Sequence, residues 1–352
     1  MFPCLTGRGR DARKEKEKML RAMDSAVAGL RSHQNKMDVV GHNIANVNTF
    51  GFKAQTYTFK EAMYQTSTSS TAGGQAGGVN AAQYGYGTLM GSIGMDMTAS
   101  TPSYVGGFNA SIDGEGFFIT TPSKLGGDAG VSATDFKSFD FDYTRVGQFL
   151  LDSNGYVVDA NGNFVYGFQA KAGADAAGNR EYTYDTVLKP LRVPLVEPGT
   201  GGGLPDETVS LDDDPESAST TVTIQVNNAG VITATVKYEC QAATTTDPAK
   251  FETRVVTLGK LAIATFQNPN GVSKSGGNYY KATNNDNTGP GVAAAPGDAG
   301  TSTLMGGFIE ASNVDLAKEF ADMITTHRGF QANSKMITVS DEMLSDLVAM
   351  KR

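Results

Sequence analysis

Tryptophan is absent from this chain of 352 residues, and cysteine and histidine are scarce, with two and three residues respectively. The two cysteines, Cys4 and Cys240, are too few for a disulfide framework or a zinc site built on thiolates. The histidines, His33, His42 and His327, all lie in the terminal segments. A catalytic or metal site that uses histidine would therefore have to form at the ends of the chain.

Long apolar runs and an excess of positive charge are also missing. No run of roughly 18 apolar residues occurs, so the sequence predicts no membrane-spanning helix. The formal net charge of −8 disfavours general nucleic-acid binding. Apolar residues make up 39% of the chain, which suffices for a modest core but is low for a compact enzyme.

The first 18 residues are basic and polar, and they lack the apolar segment of a secretory signal. A charge run of this kind is usually a solvated tail. Because the periodic sequence begins at Met19, residues 1–18 are predicted to be a dispensable extension or a start-site artefact. The alternative is a targeting or binding arm.

An amphipathic helix is predicted over residues 19–50. Apolar residues recur there at alternating steps of three and four, as in a coiled-coil seam, with Gln34 and Gly41 as polar or small interruptions. The pattern stops at a segment rich in asparagine and glycine, both of which end helices. The apolar positions, called here the α1 stripe, are Leu20, Met23, Val27, Leu30, Met37 and Ile44.

A second helix with the same spacing is predicted within residues 306–352. Ser312 and Asp315 resemble a capping box at its start. Each helix needs a partner to bury its apolar positions, either the other end of the chain or a neighbouring copy. The apolar positions of this helix, called the α2 stripe, are Leu316, Phe320, Met323, Phe330, Ile337, Leu344 and Val348.

The region between the helices has the composition of linkers and β-strands. Residues 51–95 predict an extended linker, and two further segments, 96–195 and 221–305, predict the halves of a β domain. A Gly/Pro/Asp-rich stretch, 196–220, separates the halves and predicts a loop or a reduced outer insertion. The sequence therefore predicts an α+β fold with paired terminal helices and a central all-β domain.

Turn signals give detail inside this β domain. The pairs Asn154-Gly155 and Asn161-Gly162 stand between apolar and aromatic runs and predict two hairpins. Alternating residues on both sides of 228–230 predict a third hairpin. The run LGKLAIATF, residues 258–266, predicts a buried strand.

Catalytic chemistry has few candidates in this sequence. The run DANGN at 159–163 resembles part of a calcium loop, but it lacks the Glu at the twelfth position and predicts a hairpin turn instead. Asp113 and Glu115 could serve a secreted hydrolase or a carbohydrate-binding module. No nucleophile accompanies them, so no catalytic, cofactor-binding or metal-binding residue is predicted.

Five segments, in order along the chain, resemble the bacterial flagellar rod and hook proteins. The first, at 19–55, contains GHNIANVNTFGFK, and the last, at 307–352, contains RGFQANSK. The three between them are GGFNASIDGEGFFIT at 106–120, YTRVGQFLLDSNGYVVDANGNFVYGF at 143–168 and LGKLAIATFQNPNGVSKSGGNYY at 258–280. Within the family, RGFQANSK and LGKLAIATFQNPNG are most similar to hook subunits.

The resemblance implies a structural subunit rather than an enzyme. It would be a hook subunit that self-assembles into a hollow helical polymer, joining rod to filament and transmitting torque; the alternative is a distal rod subunit. The two stripes would pair the helices and line the inner tube. The chain would change direction at a family turn formed by Asn43, Asn46, Asn48, Gly51 and Phe52.

The resemblance also implies partners and a location. Besides copies of itself, the subunit would contact the flagellar rod, the hook cap and the hook–filament junction proteins. It would leave the cell through the flagellar type III export apparatus without a cleaved signal peptide and reside in the hook or basal body. No cofactor, nucleic acid or membrane insertion is expected.

Overall fold

The computed structural model describes residues 7–73, 77–125, 130–174, 180–192, 223–241, 250–298 and 300–350. Within these ranges two long helices, α1 (Gly7–Ala45) and α2 (Leu316–Ala349), flank a β-rich centre. This arrangement confirms the predicted α+β class. The stretch 196–220, predicted as a loop or reduced insertion, lies outside the described residues.

Helix α1 begins at Gly7, earlier than the sequence predicts. The break in composition at Met19 is not a break in structure, because the Arg, Lys, Glu and Ala residues of 7–18 are good helix formers and no proline interrupts them. The prediction that residues 1–18 are dispensable is a separate matter and stays a prediction. The helix ends at Ala45, five residues before the predicted end at 50.

Helix α2 begins at Leu316, later than the predicted segment 306–352. Asp315 alone acts as the N-cap: its carboxylate accepts hydrogen bonds from the backbone N–H groups of Ala317 and Lys318. A short strand occupies part of the segment before the cap. Among the described residues, neither helix has an apolar stretch long enough to cross a bilayer.

The chain divides into two compact units. The first contains both helices and the segment 54–96, and the second contains 48–53 and 97–313. In the first unit, strands β1 and β4 form one antiparallel pair, and β2 and β3 form another. Their bounds are β1 (Gln55–Glu61), β2 (Tyr64–Thr68), β3 (Ala82–Gly85) and β4 (Thr88–Met95).

These strands occupy the segment predicted as an extended linker, 51–95. Most residues of that segment are small or hydroxylated, and this composition indicates a linker. Around Tyr57 and Phe59, however, aromatic and β-branched residues favour strands. The pairing of β1 with β4 also joins residues more than twenty positions apart, which local composition does not reveal.

The second unit is an antiparallel β domain. Its main sheet has the strand order β14-β15-β16-β12-β7-β9-β19-β18, with β8, β10, β11, β13, β17 and β20 joined at its sides, while β5 pairs with β22 and β6 with β21. In chain order the strands are β5 (Pro102–Tyr104), β6 (Ala110–Asp113), β7 (Phe117–Thr121), β8 (Val131–Ser132), β9 (Asp142–Thr144), β10 (Phe149–Leu151), β11 (Val157–Asp159), β12 (Phe164–Ala174), β13 (Arg180–Pro190), β14 (Thr223–Val226), β15 (Val231–Gln241), β16 (Lys250–Leu261), β17 (Ile263–Phe266), β18 (Ser273–Gly276), β19 (Tyr279–Lys281), β20 (Gly291–Ala294), β21 (Thr303–Gly306) and β22 (Phe308–Glu310).

The three predicted hairpins are confirmed. Strands β10 and β11 pair across the turn that holds Gly155, and β11 and β12 pair across the turn that holds Gly162. Strands β14 and β15 pair across the turn at Gly230. All three glycines have positive φ, which explains why glycine follows asparagine or alanine there. The predicted strand at 258–266 is instead divided between β16 and β17 at Ala262.

The core of the second unit combines aliphatic and aromatic side chains. The ring of Phe118 packs edge-on against that of Phe149, with centroids 5.2 Å apart. A neighbouring aromatic group surrounds Phe266, whose ring lies 5.1 Å from that of Tyr143. The buried cluster comprises Ala110, Ile112, Phe118, Phe149, Val157, Val165, Leu191, Ile224, Val226, Ile232, Ala234, Leu258, Leu261, Ile263 and Leu304.

Candidate assembly surface

Helices α1 and α2 lie antiparallel and approach each other closely at two glycines. A Cβ atom at Gly29 of α1 would lie 2.7 Å from Nδ2 of Asn333, and one at Gly329 of α2 would lie 2.6 Å from Cε1 of His33. Real Cβ atoms essentially never come so near to another heavy atom. A side chain at either glycine would therefore have to displace the side chain that faces it on the other helix.

Polar bonds connect the same faces of the two helices. The Lys36 ammonium lies 3.2 Å from a carboxylate oxygen of Asp322. Asn43 Nδ2 donates to Glu319 at 3.0 Å and to the carbonyl of Gln55 at 2.8 Å, while its Oδ1 accepts from the Gln55 N–H at 2.9 Å. Asn43 thus joins both helices to the start of β1.

The carboxyl group of Glu319 is buried, which is unusual for an ionisable side chain. It lies in the contact between the helices, and burial raises its pKa. The nearby Asp322 also raises the pKa, whereas the hydrogen bond from Asn43 and the cations Lys318 and Lys36 lower it. The buried side chains of α2 are all polar: Glu319, Thr326 and Ser340.

The α1 stripe borders this contact without forming its centre. Met23, Leu30, Met37 and Ile44, spaced by seven, are half-buried. Leu20 and Val27 are exposed, at 51% and 37%. Of the buried residues described on α1, Ala26, Gly29 and Asn43 each lie one residue before a stripe position, whereas Ser32, Val39 and Val40 do not.

The α2 stripe divides in the same way. Met323, Phe330, Ile337 and Leu344 are half-buried, again at intervals of seven. Leu316, Phe320 and Val348 are exposed, and Phe320 reaches 49%. Further apolar side chains on this helix are exposed as well, namely Ile324, Met336, Val339 and Met343.

Apolar spacing therefore predicts both helices, but it places the face by which they contact each other about one residue away from the observed face. The prediction rests on the expectation that the most apolar face of each helix pairs the two ends of the chain. The observed pairing uses small and polar residues such as Gly29 and Asn333, because these permit close approach and hydrogen bonding. The exposed half of each stripe remains on the surface of the first unit.

Strands β1 and β4 also contact α1. Ser32 Oγ donates to the carbonyl of Thr88 at 3.1 Å, and the rings of His33 and Phe59 lie 5.3 Å apart. Beside them is an open cavity of about 590 Å³. Its lining residues are Arg21, Ala22, Ser25, Ala26, Tyr84, Gly85, Asn333 and Met336.

The predicted family turn has structural roles at four of its five positions. Asn43 makes the bonds described above, and Asn46 Nδ2 donates to the carbonyl of His42 at 2.9 Å. Gly51 has a φ of +67°, a conformation that suits glycine, and its N–H donates to the Glu310 carbonyl at 2.8 Å. Phe52 is buried, whereas Asn48 is exposed.

Three charged side chains of the second unit form a buried cluster, called here the clasp: Lys53, Arg145 and Glu310. Lys53 Nζ lies 2.7 Å from Glu310 Oε1, and Arg145 Nε lies 3.1 Å from Glu310 Oε2. Burial lowers the pKa of Arg145, and the Glu310 carboxylate opposes that shift. Sequence reasoning missed the clasp, although each member lies in one of the segments that carry the family resemblance.

The clasp also accounts for the conformation of the turn that contains Asp113 and Glu115. Arg145 donates to the carbonyls of Gly114 and Gly116, each at 2.8 Å, and so holds the turn between β6 and β7. Asp113 and Glu115 themselves are exposed. Their surroundings are those of a braced turn rather than a pocket.

Replacing Gly329 with leucine should separate α1 from α2. The added side chain must displace the His33 ring, and overpacking of this kind costs about 1–3 kcal/mol. Thermal unfolding followed by far-ultraviolet circular dichroism would measure the loss. Gly41→Leu is the matched control, because Gly41 is an exposed helical glycine with open space around it, and this change should leave stability equal or higher. Equal losses in both variants would contradict the close approach.

Two family models match the ends of the chain. The model described as "Flagella basal body rod protein" matches residues 23–53, and "Flagellar basal body rod FlgEFG protein C-terminal" matches residues 305–350. Both matched ranges overlap the paired helices, where the close contacts lie.

Complete relatives give matches along nearly the whole chain. The flagellar basal-body rod protein FlgG of Bacillus subtilis is 34% identical over 336 residues, which cover 95% of this chain and 100% of the relative. The flagellar hook protein FlgE of Borreliella burgdorferi is 27% identical over 460 aligned positions, with the same coverage. FlgG of Caulobacter vibrioides is 26% identical over 332 residues, covering 92% and 97%. The chain therefore belongs to the family of flagellar rod and hook axial proteins, which are structural components of the flagellum.

Proposed function

We propose that this chain is a subunit of the flagellar rod and that it polymerises through the exposed apolar halves of its two stripes. The observation that carries polymerisation is the surface of the first unit. Phe320 and Ile324 stand 49% and 55% exposed, although α2 already has a helical partner in the same chain. Apolar side chains clustered on one helix surface mark an interaction site.

A second copy of the chain is the partner that fits this surface best. Both stripes have exposed apolar positions, so the α1 stripe of one subunit can pack against the α2 stripe of a neighbour. A head-to-tail contact of this kind, between different patches of identical subunits, generates a helical polymer when its rotation does not close into a ring. The open cavity beside α1 is a further place where a neighbour's side chain could be received.

The lengths of the alignments with rod and hook relatives favour the rod over the hook. The alignment with FlgG of Bacillus subtilis spans 336 residues and all of that protein, close to the 352 residues of this chain. The alignment with FlgE of Borreliella burgdorferi needs 460 positions, more than this chain possesses. That hook protein therefore contains segments without a counterpart here, which supports the rod.

The hook remains the second candidate, on a specific observation. The motifs RGFQANSK and LGKLAIATFQNPNG, in the middle of α2 and around β17, are the ones most similar to hook subunits. Either assignment places the protein in the basal body or hook, and either is compatible with export through the flagellar type III apparatus. Contacts with other rod proteins, the hook cap or junction proteins belong to the same proposal.

Electron microscopy of basal bodies from a strain that lacks this gene separates the two candidates. A rod subunit is required before the hook can form, so we expect a truncated rod with no hook attached. Complementation with the intact gene is the control and should restore complete structures. A complete rod that stops where the hook should begin would overturn the rod assignment in favour of the hook.

The double substitution of Phe320→Ser and Ile324→Ser should abolish polymerisation and leave the subunit folded. Both side chains are exposed, so their loss should change the free energy of unfolding by no more than about 0.5 kcal/mol. Light scattering and electron microscopy of the purified chain would follow assembly. Leu150→Ser, at an apolar residue of the β domain that is 52% exposed, is the matched control and should still assemble. Normal assembly of the double variant would remove the stripe from the interface.

A further inference from the structure

We propose that the clasp of Lys53, Arg145 and Glu310 is a positioning device: it fastens together, at one place in the second unit, the segments by which the chain enters and leaves that unit. The chain crosses between the two units four times, after residues 47, 53, 96 and 313. Lys53 and Glu310 and their partners Gly51, Thr98 and Ser100 lie within four residues of a crossing, whereas Arg145 belongs to the body of the second unit. This inference does not depend on whether the polymer is a rod or a hook.

The contacts of Lys53 join two of the connecting segments. Lys53 is the last residue before the second crossing, and its ammonium donates to the Thr98 carbonyl at 2.6 Å, two residues after the third crossing. The same ammonium contacts Glu310 Oε1 at 2.7 Å. Glu310 precedes the fourth crossing by only three residues.

Glu310 is the centre of the arrangement. Its Oε1 also accepts the Ser100 N–H at 3.1 Å, and its backbone carbonyl accepts the Gly51 N–H at 2.8 Å. One residue thereby holds the segments that begin or end at three different crossings. Two further bonds reinforce it: Ser100 Oγ donates to the Ser312 carbonyl at 2.9 Å, and the Asn313 N–H donates to the Phe52 carbonyl at 3.5 Å.

Arg145 anchors this assembly of segments to the sheet. It follows β9 directly, and its guanidinium contacts Glu310 on one side and the carbonyls of Gly114 and Gly116 on the other. The connecting segments are thus tied to strands of the main sheet as well as to one another.

The three side chains of the clasp are buried, so the positions of their charged groups are constrained by their hydrogen-bond partners. The side chains of Lys53 and Glu310 have no solvent exposure, and that of Arg145 has 2%. A buried ion pair adds little net stability compared with apolar residues of the same size, because desolvation offsets the attraction. Its hydrogen bonds have defined directions, however, so the contribution we assign to the clasp is position rather than stability.

The composition of the clasp permits a sharp test. It contains two cations and one anion, so Lys53→Met removes the link to Thr98 and leaves the neutral pair of Arg145 and Glu310. Hydrogen exchange measured on the full chain by mass spectrometry or NMR reports on the amides concerned. Those of Gly51, Ser100 and Asn313 belong to the connecting segments, and those of Val157 and Leu191 belong to the core.

We expect Lys53→Met to speed exchange at Gly51, Ser100 and Asn313 at least tenfold, with Val157 and Leu191 unchanged. Lys281→Met is the matched control, since Lys281 forms a solvent-exposed pair with Asp140 in the same unit, and it should alter none of these amides. Unchanged exchange at the three connecting amides, or an equal rise at all five, would overturn the proposal.

A second variant covers the case in which Lys53→Met does not fold. Replacing Lys53 and Arg145 with methionine and Glu310 with leucine makes the whole site apolar and removes every buried charge of the clasp. We expect this triple variant to keep the exchange of the core amides while the connecting amides exchange at least tenfold faster than in the original chain. Full protection of the connecting amides by apolar packing alone would overturn a role for the charges in positioning.

Discussion

The close approach of α1 to α2 is the constraint from which the arrangement of the first unit follows. Gly29 of α1 faces Asn333 of α2, and Gly329 of α2 faces His33 of α1. Hydrogen bonds such as that from Asn43 to Glu319 complete the contact. A face made of small and polar residues cannot also carry the large apolar side chains. Those side chains therefore lie at the borders and on the outer surface, where, in the proposed polymer, they would contact neighbouring subunits.

The two units divide the physical requirements of a polymer subunit. The second unit has an aliphatic and aromatic core of its own, so its stability needs no neighbour. The buried side chains of α2 are small or polar, and residues such as Ile324 are left in water, so the proposed assembly would bury apolar surface mainly on this unit. The clasp lies where the chain passes from one kind of structure to the other, and its directional bonds suit that position.

Local signals in the sequence predicted more of this structure than signals that depend on distant contacts. The Asn-Gly pairs identified the hairpins because a tight turn is decided by the residues within it. Helical spacing identified α1 and α2, but it rotated their contact because Gly29 carries no hydrophobic signal. Strands β1 to β4 and the clasp were missed for one reason: their partners lie far away in sequence, as with Lys53 and Glu310.

Thiol labelling tests most directly the claim that one face of the helix pair serves the subunit and the other serves the polymer. Ile324→Cys, with Cys4 and Cys240 replaced by serine, places a thiol on the exposed face, and Ala26→Cys places one in the buried face. Alkylation rates would be measured in free subunits and in the assembled polymer. We predict rapid labelling at 324 in free subunits, at least tenfold slower labelling in the polymer, and slow labelling at 26 in both. Equal reactivity at 324 before and after assembly would contradict the claim.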